Sequence, residues 1–102
     1  MSRLDSLRAM VAANPENALA RFGLANEALK AGAYEEAVEQ LRAYLARHAD
    51  EGNAYGRLAE ALLALGHADE ARDALRQGIE TANRHGHPGM AAEFEERLDE
   101  LL

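Results

Sequence analysis

The side chains with most chemistry to offer in this 102-residue chain are four histidines, His48, His67, His85 and His87, and two serines, Ser2 and Ser6. His85 and His87 stand two apart in the stretch Arg84-His-Gly-His-Pro-Gly-Met90, which could supply half of a metal site. A zinc ion needs three or four ligands converging at about 2.0–2.1 Å. His48, with Asp50 or Glu51, would have to complete the set across a helix-stacking distance of roughly 8–10 Å. The same residues also read as punctuation: Gly86 suits the end of one helix and Pro88 the first position of the next. That reading needs no ion, so neither a metal nor a cofactor is expected. The paired carboxylates Glu35-Glu36, Asp69-Glu70 and Glu95-Glu96 fall in first turns or on helix faces, where acidic groups complement the helix dipole. No nucleophile elbow, phosphate loop or His-Glu-x-x-His is present, and both serines lie among the first residues. The absence of cysteine removes disulfides and thiolates. An enzyme is not expected.

The elements that would carry these residues are helical. The chain holds 23 alanines and 15 leucines, and its β-branched residues are only Val11, Val38, Ile79 and Thr81. Alanine and leucine are strong helix formers, whereas strands draw on β-branched and aromatic residues. No apolar run approaches the roughly 20 residues that span a bilayer. The first residues lack the apolar stretch of a secretory signal, so a cytoplasmic location is expected. Net charge is −7, concentrated at the end: residues 85–102 alone contribute −4. With no basic stripe, nucleic acid and anionic membrane surfaces are not expected partners.

Set against itself at an offset of 34, the chain repeats. Ala20 falls on Ala54, Leu24 on Leu58, Ala25 on Ala59, Gly32 on Gly66, Glu36 on Glu70, Ala37 on Ala71 and Leu41 on Leu75. A fixed period of this kind marks stacked units, none of which buries its apolar face alone. Within each unit Gly32 or Gly66 supplies a left-handed turn between two helices. The small residues Ala25, Ala37, Ala59 and Ala71 let the paired helices approach closely.

These residues resemble the tetratricopeptide repeat, in the form Leu24-Ala25-x-x-Ala28 with Ala37-x3-Leu41, and Leu58-Ala59-x-x-Leu62 with Ala71-x3-Leu75. Arg21 and Tyr55 stand where the family's opening tryptophan would be, and Ala49 where its closing proline would be. The resemblance implies an all-α fold of six helices: a right-handed superhelical array of antiparallel hairpins. One domain over 1–102 is expected, with an N-terminal helix at 2–13, repeats at 18–51 and 52–85, and a closing helix at 88–101. Leu4, Leu7, Met10 and Val11 would form the apolar face of the first helix. Met90, Phe94, Leu98 and Leu101 would form that of the last, which is read as a cap.

The resemblance also implies a function. First helices of tetratricopeptide arrays line a groove that receives a peptide or helix of another protein. Carried over by position, that wall holds Leu19, Phe22, Asn26, Leu29 and Lys30 in the first repeat. Asn53, Gly56, Arg57, Glu60 and Leu63 follow in the second. Asn26 matches a position that chaperone-binding members use to hold a C-terminal carboxylate. The lysine they place one turn earlier is Phe22 here, which suggests an apolar anchor instead, unless Phe22 packs on the N-terminal helix. The alternative is a self-associating module, a homo-oligomer joined through apolar ends that run from Leu4 and Leu7 to Leu98, Leu101 and Leu102. Histidine-mediated metal binding is a minor third reading.

Overall fold

A computed structural model describes residues 2–102, and among them every regular element is a helix. The six are α1 (Arg3–Ala13), α2 (Ala18–Lys30), α3 (Tyr34–Arg47), α4 (Asn53–Ala64), α5 (Ala68–Arg84) and α6 (Pro88–Glu100). They fall into two compact units, Met1–His48 with α1 to α3 and Ala49–Leu102 with α4 to α6. Within each, consecutive helices pack against one another.

Local chemistry sets the ends. The Ser2 hydroxyl accepts from the Asp5 amide (3.1 Å) at the start of α1, and Asn17 Oδ1 accepts from the Ala20 amide (3.1 Å) at the start of α2. At α4 the same task moves one residue earlier in the repeat. Asp50 Oδ2 accepts from both the Gly52 (2.8 Å) and Ala54 (3.0 Å) amides. Three turns share one geometry. Gly32, Gly66 and Gly86 have φ of 76°, 80° and 76°. The following amides, those of Ala33, His67 and His87, donate to the carbonyls of Ala28, Leu62 and Ala82, each at 2.8 Å. That bond from beyond a left-handed residue back to the last turn stops a helix and satisfies an orphan carbonyl. The segment around His85 and His87 is therefore the same device that folds each repeat. Pro88 opens α6 as expected of a residue with no amide to donate.

In the first unit Leu7, Val11, Ala20 and Leu24 form one cluster, with Leu4 packed against it. Met10, expected on the same face of α1, is instead 49% exposed. Leu7, expected at an open apolar end, is buried. Charged groups tie the helices together at the rim. Arg8 binds Glu36 with two bonds, Nε to Oε2 at 2.9 Å and Nη2 to Oε1 at 2.7 Å, joining α1 to α3. The hydrogen bond from Arg8 holds the Glu36 carboxyl below its usual range. Arg21, in the family's tryptophan position, reaches the Pro15 carbonyl (2.8 Å) and the side-chain oxygen of the buried Gln40 (2.8 Å).

Ala25, Ala28, Ala37, Ala59 and Ala71 have no exposed surface. Leu24, Leu41, Leu62 and Leu75 are the largest fully buried side chains. Alanine at Ala37 thus has no room to grow. Ala37→Leu is expected to cost about 1–3 kcal/mol through overpacking, read as a lower urea midpoint at unchanged slope. A neutral result would mean that α2 and α3 can part without loss.

Candidate functional site

The positions of the histidines decide between chemistry and punctuation. His85 caps the end of α5 and its Nδ1 donates to the Thr81 carbonyl (3.0 Å). His87 precedes α6, and its Nε2 lies 2.5 Å from Glu51 Oε1. His67 precedes α5 and is exposed. His48 ends α3 with its ring against Tyr44, centroids 5.3 Å apart, and its Nε2 is buried. Among the described residues no three histidine or acidic side chains converge as a metal site would require.

Glu51 carries a consequence of its pairing. The hydrogen bond from His87, and then its charge, hold the Glu51 carboxyl below the usual glutamate range against a small opposing effect of burial. A carboxyl lowered in the folded state contributes stability above its unfolded value and loses it as pH falls through the folded value. In a carbon-detected NMR titration the Glu51 carboxyl is expected to ionise at lower pH than an ordinary glutamate. His87→Ala should return it to the ordinary range. The same midpoint in both proteins would show that the pair does not form in solution.

The residues expected to line a groove are distributed over both units. In the first, Leu19 is 86% exposed at the start of α2. Phe22 is half-buried, and its ring meets Tyr44 of α3 at 5.2 Å between centroids, tilted by 39°. Asn26 and Leu29 are half-buried; the Asn26 side-chain oxygen is enclosed and accepts no hydrogen bond. Lys30 is exposed, with Nζ 3.5 Å from Glu27 Oε1.

In the second unit Asn53, Gly56, Arg57 and Glu60 of α4 form one wall of a cleft of about 590 Å³. The other wall is Met90, Glu93, Phe94 and Arg97 of α6. Leu63, expected with them, is half-buried and stands outside the cleft. The α6 wall is absent from the sequence-based assignment, which treated that helix as a cap.

What brings α6 so close to α4 is a pair of missing side chains. A Cβ on Gly56 would stand 2.7 Å from Phe94 Cε1, and one on Gly78 would stand 2.9 Å from Phe94 Cδ2. Phe94 is 4% exposed, inserted between α4 and α5. At the 34-residue offset Gly56 matches Phe22, and Gly78 matches Tyr44. The first unit fills that position with two rings in contact; the second leaves it empty on both helices and receives one ring from α6. Arg97 closes the base of the cleft. Its Nη2 donates to the Gly56 carbonyl (3.2 Å), and its guanidinium lies 5.7 Å from the Phe94 ring centroid. One signal for this was legible: glycine inside a helix costs about 1 kcal/mol against alanine, so two of them point to close approach by something.

The family model described as tetratricopeptide repeat matches residues 1–82. The chain belongs to the tetratricopeptide repeat family. It is similar to TPR repeat-containing protein PA0015 of Pseudomonas aeruginosa, with 36% identity over 83 residues, 81% of this chain and 79% of that one. Its fold is similar to the solution structure of protein BPP2914 from Bordetella parapertussis. There the TM-score is 0.83 at 27% identity, covering 99% of this chain and 88% of the other. Tetratricopeptide repeats as a family point to protein–protein interaction modules and are generally non-enzymatic. The match to the family model ends before α6, so one wall of the cleft is made by residues outside it. No helix among the described residues is long and apolar enough to cross a membrane.

Proposed function

We propose that this tetratricopeptide repeat protein holds a peptide or helix of another protein, with one binding surface on α2 in the first unit and one on α4 in the second. The observation that supports this most is the cleft beside α4. Asn53, Arg57 and Glu60 were assigned to a groove by position in the repeat, and all three line this cleft together with residues of α6. Polar groups on a partly apolar floor, here Met90 and the buried Phe94, are the ordinary make-up of a site that orients a ligand and excludes water from it. Phe22 and Asn26, both half-buried on α2, would serve the first unit.

Peptides selected from a displayed random library and titrated into isotope-labelled protein test the reading. Shifts are expected at Asn53, Arg57, Glu60, Met90 and Glu93. Arg57→Ala with Glu60→Ala should weaken binding by about tenfold or more. Phe22→Ala with Asn26→Ala asks the same of the first unit. Selected peptides whose shifts avoid both sets, and whose affinity neither pair alters, would defeat the placement.

A further inference from the structure

Of the three helices in the second unit, α6 is the least anchored. It buries two residues, Ala91 and Phe94, whereas α4 and α5 bury six each. The turn leading into it adds little packing, since nothing lies within 4 Å of a Cβ placed on Gly86 or Gly89. Segments with few buried contacts are the first to open, so polar contacts matter to the docking of this helix. Along α6, Arg97 reaches the Gly56 carbonyl (3.2 Å), and Arg72 of α5 reaches the Leu101 carbonyl (3.1 Å). Arginine keeps its charge at any pH a folded protein meets. The contact at the start of α6, between His87 and Glu51, is different in kind.

His87 stands at the N-cap position of α6 yet makes no capping bond. Its Nε2 turns instead to Glu51, the residue immediately before the Gly52 that caps α4. A protonated imidazole there is opposed by the positive end of the α6 dipole and attracted by the Glu51 carboxylate. The neighbouring polar groups have other partners. Asp50 accepts from the Gly52 and Ala54 amides. At the end of α5, Arg84 reaches Thr81 Oγ1 (3.4 Å), and His85, whose charge also acts on Glu51, holds the Thr81 carbonyl. The first turn of α6 has no acidic residue. Glu51 is the carboxylate that answers the His87 charge.

We propose that Glu51 and His87 form a pH-sensitive brace, which fastens the start of α6 to the start of α4 while His87 is protonated and releases it when that proton leaves. Histidine is the side chain that ordinarily changes charge between about pH 5 and 8. The attraction needs both a protonated His87 and an ionised Glu51, whose carboxyl is held below the usual glutamate range. It is therefore lost as pH rises through the histidine range, and lost again as pH falls through the lowered Glu51 value. Because α6 is one wall of the cleft, the brace acts on that wall whether or not a ligand uses it.

Hydrogen exchange of the α6 amides tests the brace, expressed as protection factors so that the intrinsic effect of pH divides out. Across the histidine range, from about pH 6 to about pH 8.5, protection in the wild type should fall by about two- to fivefold, as suits an exposed ion pair. In Glu51→Gln the fall should vanish or reverse, because the charged ring then faces the helix dipole without its carboxylate. His87→Gln should lose the fall as well, and His85→Gln should keep it. An equal fall in the wild type and Glu51→Gln would place the effect in another histidine and overturn the proposal. A fall that His85→Gln abolishes would overturn the assignment to His87. Protection in the wild type that stays level across the range would show that no brace forms.

Discussion

Phe94→Ala is expected to destabilise the protein by about 3–5 kcal/mol, the range for removing a buried ring. The high end applies when the hole cannot collapse. Here two of its walls are Gly56 and Gly78, which have no side chains to move into it. The backbones of α4 and α5 would have to shift instead, and both helices are held by fully buried alanines and leucines. Urea unfolding measures the loss, with Leu102→Ala, 78% exposed, as a control within about 0.5 kcal/mol of wild type. A loss below about 1 kcal/mol would mean the ring is not packed as described. A double-mutant cycle sharpens the test. Gly56→Ala alone sets a Cβ 2.7 Å from the ring and should cost about 1–3 kcal/mol. Added to Phe94→Ala, the same change meets no ring and gains about 1 kcal/mol of helix propensity, so its sign should reverse.

Gly52→Ala is the second large effect, with an expected loss of about 2–4 kcal/mol from strain and overpacking together. Gly52 is buried immediately before α4 with φ of 133°, in a region that residues with a Cβ rarely enter. The new Cβ would also stand 2.7 Å from Met90 Sδ and 3.3 Å from Ala82 Cβ. The methionine can swing aside; the backbone cannot. Gly66→Ala separates the two terms, because its φ is 80° and nothing lies within 4 Å of the added atom. That change should cost about 1 kcal/mol, the ordinary penalty of a left-handed turn. Equal losses at the two positions would show that Gly52 relaxes to a common conformation. On a Met90→Ala background the Gly52→Ala loss should shrink but persist.

Much of the fold was legible residue by residue. The 34-residue offset, the turn glycines Gly32, Gly66 and Gly86, and the alanines at Ala25, Ala37, Ala59 and Ala71 all lead to the helices and close contacts found. The candidate cleft was legible in part. Asn53, Arg57 and Glu60 were reached by position and line the cleft, whereas Leu63 was reached by the same rule and does not. Met10 misled because its spacing on α1 is correct for a buried face, yet nothing covers it enough to bury it. Periodicity reports which residues share a face; it does not report how wide the neighbouring helix is.

That distinction separates the local features of this protein from those that depend on packing between helices. Helix number, helix ends and hairpin turns follow from properties of neighbouring residues: a 3.6-residue apolar period, a capping side chain, a glycine free to adopt positive φ. The stretch from Arg84 to Met90 belongs here, since Gly86 and Pro88 make it a turn whatever lies around it. The cleft belongs to the other class. Gly56 and Gly78 acquire their meaning only when Phe94, sixteen residues beyond the nearer of them, enters the space they leave. Filling a volume requires three helices at once, and no local pattern within any one of them states what the other two will supply.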